Sequence, residues 1–204
     1  KAKEEELAKK VYETEILREI SERIGYALDG AKIVEIISGS LSKLLPSSTV
    51  CYAIFAKHEK VQFACNVSEP VGPDFIKEIR QAVISECSRL AKRLIVDSDI
   101  EESITGNILS DMSVEKVGSH FNLPIYIADQ LVGMINVAST TKDAYNSENT
   151  EVLFRIAKHA STAATRLHEV LENEKARLSQ AVQSLSDGML MVDTNYDLVL
   201  LNKK

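Results

Sequence analysis

At 204 residues, 45% apolar and 26% charged, the chain has the composition of an ordinary soluble protein, with room for one domain of about 150 residues plus flanking segments. Thirty acidic residues against 24 basic ones leave a net charge of −6, which opposes a nucleic-acid footprint, and no apolar run approaches the ~18 to 20 residues of a membrane span. Three cysteines without metal-ligand spacing fit a reducing, cytoplasmic setting better than a disulfide framework.

The chain has no initiator Met, and its last residues read as the middle of a strand, so both ends look cut. Residues 1–28 form the first expected segment, an amphipathic helix in which Leu7, Val11, Leu17, Ile20, Ile24 and Ala27 alternate with charge. Asp29-Gly30 interrupts the stripe, and Ile33, Ile36, Ile37, Leu41, Leu44 and Leu45 then predict a second helix stopped by Pro46. The stretches 49–55 and 61–67 turn β-branched and aromatic around a polar 57–60 turn, which predicts an antiparallel hairpin. Pairing about His58 sets Cys51 opposite Cys65, Ala53 opposite Phe63 and Phe55 opposite Val61, so the two cysteines become cross-strand neighbours.

Pro70-Val71-Gly72-Pro73 reads as a turn. From 74 to 93, Phe75, Ile79, Val83, Ile84, Cys87, Leu90 and the adjoining Leu94 recur at helical spacing and predict a middle helix. Residues 97–115 are polar, contain Gly106-Asn107 and keep no period, so an irregular segment or short helix is expected there. Runs 119–128 and 131–139 predict two central strands joined tightly through Asp129-Gln130.

From 148 to 185 there is neither Gly nor Pro, and the apolar positions predict one long helix. Leu153, Ala157, Ala160, Ala164, Leu167, Leu171, Glu174, Leu178, Ala181 and Leu185 step by four and three, a heptad seam broken only by Glu174. About 37 residues at 1.5 Å each span about 55 Å, longer than a domain of this size is wide, so the C-terminal half must project. Such a seam asks for a partner helix, and Leu167, Leu171, Leu178 and Leu185 are the expected contacts of a homodimer.

The element order, together with Leu123-Pro124-Ile125-Tyr126-Ile127-Ala128-Asp129-Gln130-Leu131-Val132-Gly133-Met134-Ile135-Asn136-Val137, resembles a GAF domain over residues 17–168. Independently of the resemblance, Pro124 begins a strand where no ladder donor is lost, and Gly133 permits close backbone or helix approach. The stretch Leu185-Ser186-Asp187-Gly188-Met189-Leu190-Met191-Val192-Asp193-Thr194-Asn195-Tyr196-Asp197-Leu198-Val199-Leu200-Leu201-Asn202 is similar to the start of a PAS domain, of which residues 186–204 hold the first hairpin only. The resemblance implies an α+β fold of α/β/α sandwich type, with an antiparallel sheet, flanking helices and long N- and C-terminal coiled-coil helices. A GAF domain joined to a PAS domain through a coiled-coil helix looks like the input half of a sensor histidine kinase. Diguanylate cyclases and transcription regulators use similar input arrays.

The same resemblance tests ligands residue by residue. Cys51, Cys65 and Cys87 are followed by Tyr52, Asn66 and Ser88, not the His common after a bilin-bearing cysteine. The Asn-Lys and Asp-Glu signatures of cyclic-nucleotide binders become Asn136-Val137 and Asn149-Thr150, without the lysine or either carboxylate. Haem needs an axial ligand, and among His58, His120, His159 and His168 only His120, at a strand start, is a candidate. Covalent bilin, cyclic nucleotide and haem are therefore disfavoured, and the cofactor is unknown. No catalytic motif is present. A small-molecule pocket of GAF type would be lined by Tyr52, Ile54, Phe63, Phe121, Pro124, Tyr126 and residues around Ile104 to Met112. Cys51 and Cys65 form a candidate redox pair, weighed against a reading as two small buried apolar groups.

Overall fold

The computed structural model describes residues 11, 14–15, 18–19, 30–45, 49–56, 60–109, 116–145, 147–184, 190–192 and 198–202. It divides into two compact units, Lys1–Thr165 and Arg166–Lys204. In the first segment Val11, Thr14, Glu15, Arg18 and Glu19 are helical, while Leu7, Leu17, Ile20, Ile24 and Ala27 lie outside the described residues. No helix among the described residues is long and apolar enough to cross a membrane.

The first unit is built on a five-stranded sheet of order β3-β2-β1-β5-β4. Its strands are β1 (Thr49–Phe55), β2 (Val61–Val71), β3 (Ile100–Ile108), β4 (Ser119–Ile127) and β5 (Gln130–Ser139). Helix α1 (Gly30–Leu44) precedes the sheet, α2 (Pro73–Ala91) links β2 to β3, and α3 (Ser147–Gln183) follows β5. The middle helix thus ends at Ala91, and Leu94 beyond it is 81% exposed. The arrangement is the expected α+β class. Strands β1 and β2 pair antiparallel with Cys51 opposite Cys65, Ala53 opposite Phe63 and Phe55 opposite Val61, as the symmetry about His58 requires.

The sheet is not wholly antiparallel, because residues 97–115 are not simply irregular. A short 3-10 turn at Asp97–Asp99 leads into β3, which runs parallel to β2. Parallel neighbours need a long crossover, and α2 supplies it. The strand escapes pattern reading because the rung positions 100, 102, 104 and 106 carry Ile, Glu, Ile and Gly. Its charged member, the exposed Glu102, lies 3.7 Å from the Arg80 guanidinium of α2, which also donates to Asp97 at 2.8 Å.

Pro70 and Val71 also belong to β2 and not to a turn. The β1 ladder ends at Asn66, so the donor that Pro70 lacks is not needed on that side. Between Val67 and Val71 the ladder is shifted, and Gly106 stands opposite with φ 107°, where a Cβ would strike the Val67 carbonyl. The β4–β5 turn is Ala128-Asp129, one residue earlier than expected, with Ile127 paired to Gln130. Both turn residues are left-handed, φ 48° and 61°, as the right-handed twist of a two-residue hairpin demands.

Alternation gives the sheet two apolar faces. On one, Val50, Ile54, Leu123, Ile125, Ile135 and Val137 pack with Ile33, Val34, Ile37 and Leu41 of α1 and Leu153, Ile156, Ala157, Ala160 and Ala164 of α3. On the other, Cys51, Ala53, Val61, Phe63, Cys65 and Met134 pack under Phe75, Ile76, Ile79, Val83 and Cys87 of α2. Gly133 has its expected role: a Cβ there would lie 2.7 Å from the Ala53 carbonyl oxygen and 2.9 Å from Val34 Cγ2, so α1 sits close only because this residue has no side chain.

The second unit holds the C-terminal part of α3 and the hairpin β6 (Leu190–Val192) and β7 (Leu198–Leu201). Asn202 is 3% exposed and its Nδ2 donates to the Val182 carbonyl at 3.3 Å, while Gln183 Nε2 donates to the Leu201 carbonyl at 3.1 Å. Asn202 thereby supplies a donor to a carbonyl that the helix end leaves without a partner, and the helix in turn donates to the end of β7 through Gln183.

Candidate functional site

The six pocket candidates do not face one cavity. Tyr52, Ile54 and Phe121 lie on the α1/α3 side. Ile54 is fully buried in that core, and Phe121 meets Tyr145 edge to face at 5.0 Å. Burial pushes the Tyr52 phenol above its ordinary pKa, with Glu35 adding to the shift. Phe63 lies on the α2 side, and so does Pro124, whose rung partner Met134 belongs to that core. Tyr126, 37% exposed, lines a groove at the end of the sheet. The strand residues Leu123 to Ile127 are apolar or aromatic at every position, so sequence alone does not show which parity faces which helix; the register does.

Beneath α2 the space is filled: Cys51, Ala53, Phe63 and Met134 are each 0% exposed. Concavities lie at the margins. One, about 320 Å³, runs between α2 and β3 along Pro73, Ile76, Arg80, Glu102, Ile104 and Ile108, so Ile104 does line a groove, while Met112 is outside the described residues. Another, about 410 Å³, is bounded by Phe55, Leu90, Arg93, Tyr126, Asp129 and Leu131. There the Arg93 guanidinium sits 5.9 Å from the centre of the Phe55 ring, and the adjoining β4–β5 turn is fastened by the Ala128 N–H donating to the Thr165 hydroxyl of α3 at 3.1 Å.

The chemically distinct part of the α2 side is its sulfur and amide content. Cys51 and Cys65, which composition placed in a reducing setting, are joined as a disulfide with Cα atoms 4.0 Å apart. Cys87 of α2 is buried in the same core, and desolvation pushes its thiol up to about 12, with Glu86 adding to the shift. It stays protonated and is a poor nucleophile. Next to Cys51 in register is Asn136, 0% exposed, and beyond it Asn122. This amide pair was not singled out from sequence as a site, although an Asn inside the apolar run of β5 was the available signal.

His120, the expected haem candidate, is exposed at the start of β4, and His159 and His168 are exposed on α3. Among the described residues no cluster of His, Cys, Asp or Glu could hold a metal ion. On α3, Leu167 and Leu171 are half-buried and Leu178 is 63% exposed; Leu185 lies outside the described residues.

The sequence profile of the GAF domain matches residues 13–164. Among solved structures the chain is similar to the phycoerythrobilin-bound GAF domain from a cyanobacterial phytochrome, at 19% identity and TM-score 0.48, over 80% of this chain and 99% of that one. It is similar to residues 122 to 287 of a methyl-accepting chemotaxis protein, at 17% identity and TM-score 0.44, over 74% and 98%. A third likeness is to the GAF domain from an Acinetobacter phosphoenolpyruvate-protein phosphotransferase, at 10% identity and TM-score 0.41, over 77% and 95%. No curated protein matches the chain.

Proposed function

The chain belongs to the GAF domain family, and from that premise we propose that it is a regulatory sensor module relaying its state along α3 to a following PAS domain, with a sensor histidine kinase as output. The observation that carries this reading is the division of α3. Leu153, Ala157, Ala160 and Ala164 are at most 5% exposed in the domain core. The same seam continues to Leu171 and Leu178, and Leu178 is 63% exposed. A helix that is core at one end and carries unburied leucines at the other suits pairing with a second copy.

The relay follows from that geometry. A ligand or partner acts only if it favours one packing of the paired helices over another, since equal affinity for both shifts nothing. The second unit supports the PAS part. Leu190, Leu198 and Leu201 are 64%, 60% and 55% exposed, and a two-stranded hairpin is marginal alone, so those leucines suit a larger sheet. Diguanylate cyclases and transcription regulators are the alternative outputs. The reading assigns no catalytic step, nucleic-acid contact or membrane contact to this segment, and it places the module in the cytoplasm.

One observation favours a second reading, a dimerisation scaffold without a ligand: the filled space between α2 and the centre of the sheet. Native mass spectrometry of the full chain separates the two. A dimer carrying a small non-covalent adduct supports the sensor, a bare dimer supports the scaffold, and a monomer overturns both.

A further inference from the structure

One rung of the sheet carries Cys65 on β2, Cys51 on β1, Asn136 on β5 and Asn122 on β4, paired in that order across three antiparallel ladders. The two cysteines are joined, and Cys51, Cys65 and Asn136 are 0%, 2% and 0% exposed. The orientation of the Asn136 amide is set from β4. Its Nδ2 donates to Asn122 Oδ1 at 2.8 Å and toward the Phe121 carbonyl at 3.4 Å, and a backbone carbonyl can only accept. Asn136 Oδ1 is thereby left buried without a donor, an unfavourable state for a polar atom. Its register neighbour on β1 is Cys51, whose sulfur carries no proton while it is in a disulfide.

We propose that Cys51 and Cys65 are a redox site that interconverts between disulfide and dithiol, and that Asn136 sets its poise by accepting a hydrogen bond from the Cys51 thiol in the reduced state alone. This goes beyond the signalling role and does not depend on it. Once local opening of the sheet exposes the pair, which is buried in the closed fold, two equivalents of a monothiol such as glutathione break the Sγ–Sγ bond by successive thiolate attack. They deliver two electrons and two protons and leave as glutathione disulfide; oxidation by glutathione disulfide reverses each step. The proton gained at Cys51 Sγ is the donor that Asn136 Oδ1 lacks in the oxidised state. The amide therefore draws the equilibrium toward dithiol, compared with a pair facing an apolar side chain. Cys87 takes no part, because the bridge joins Cys51 to its cross-strand neighbour Cys65 and leaves Cys87 of α2 as a free thiol.

The test is a titration of the full chain in glutathione buffers, read by alkylation and peptide mass mapping, for the wild type and Asn136→Leu. The wild type is expected to bridge Cys51 to Cys65, leave Cys87 unbridged and reverse fully on reduction. Asn136→Leu is expected to shift the equilibrium about tenfold toward disulfide, a midpoint about 30 mV more negative. A pair that never bridges, a bridge to Cys87, or a midpoint unmoved by Asn136→Leu overturns the proposal. Should Asn136→Leu not fold, a Cys65→Ser/Cys87→Ser chain retains a single thiol for Raman spectroscopy. A lowered, hydrogen-bonded S–H stretch is expected, and a free S–H stretch overturns the assignment.

Discussion

Replacing Gly133 by alanine tests how α1 is seated on the sheet. The backbone there is not left-handed, unlike Gly106, so alanine is allowed conformationally and gains about 0.4–1 kcal/mol by restricting the unfolded chain. Against this, the new methyl carbon falls 2.7 Å from the Ala53 carbonyl oxygen and 2.9 Å from Val34 Cγ2. Neither neighbour yields easily: the Ala53 carbonyl is in the backbone of a central strand, and Val34 is 0% exposed. Overpacking of this kind costs about 1–3 kcal/mol, so the net loss runs up to about 2.6 kcal/mol, or up to about 10 °C in Tm for a chain of this size. Urea unfolding at constant m is the assay. Because Val34 is one of the two obstacles, Gly133→Ala/Val34→Ala should lose less than the sum of the single variants, with a coupling of about 0.5–1 kcal/mol. A stabilised Gly133→Ala, or strict additivity with Val34→Ala, refutes the close approach.

Two further outcomes follow from backbone and titration. Ala128→Gly relieves a left-handed alanine, φ 48°, and should raise stability by about 0.5–1 kcal/mol in the same urea assay; a loss would mean that the turn does not adopt this conformation. Cys87 is held at about 12 against an ordinary value of 9.0, so the folded state binds the proton more tightly than the unfolded one. Its contribution is complete below pH 9 and declines as pH rises toward 12. Unfolding midpoints measured across that window should fall more steeply in the wild type than in Cys87→Ala, and parallel profiles would remove the burial argument.

Much of the fold was legible because its elements obey one period at a time. The β1–β2 register came from two β-rich runs about a polar centre, and it is matched residue for residue from Val61 to Cys65. Helix α2 was legible because only one stripe of it is apolar. Strand β3 was not, since only Ile100 and Ile104 of it are even partly buried, and the exposed Glu102 and Gly106 that alternate with them imitate a loop. The site was harder. In β5 every residue from Gly133 to Ser139 is buried, so alternation leaves no trace, and pocket candidates from opposite faces were grouped together. The cysteine pairing was readable from register, but the Asn136 acceptor beside it required the third strand, whose alignment no local pattern supplies.

The proposed relay requires α3 to pair with a second copy beyond the domain core. Cysteine cross-linking reads that pairing out, in a chain whose native cysteines are replaced by serine. Leu178→Cys lies on the seam, while Ala176→Cys is about 200° away around the same helix. Efficient cross-linked dimer at 178 and little at 176 is the predicted result. Equal cross-linking at both positions, or none at either, would contradict the claim.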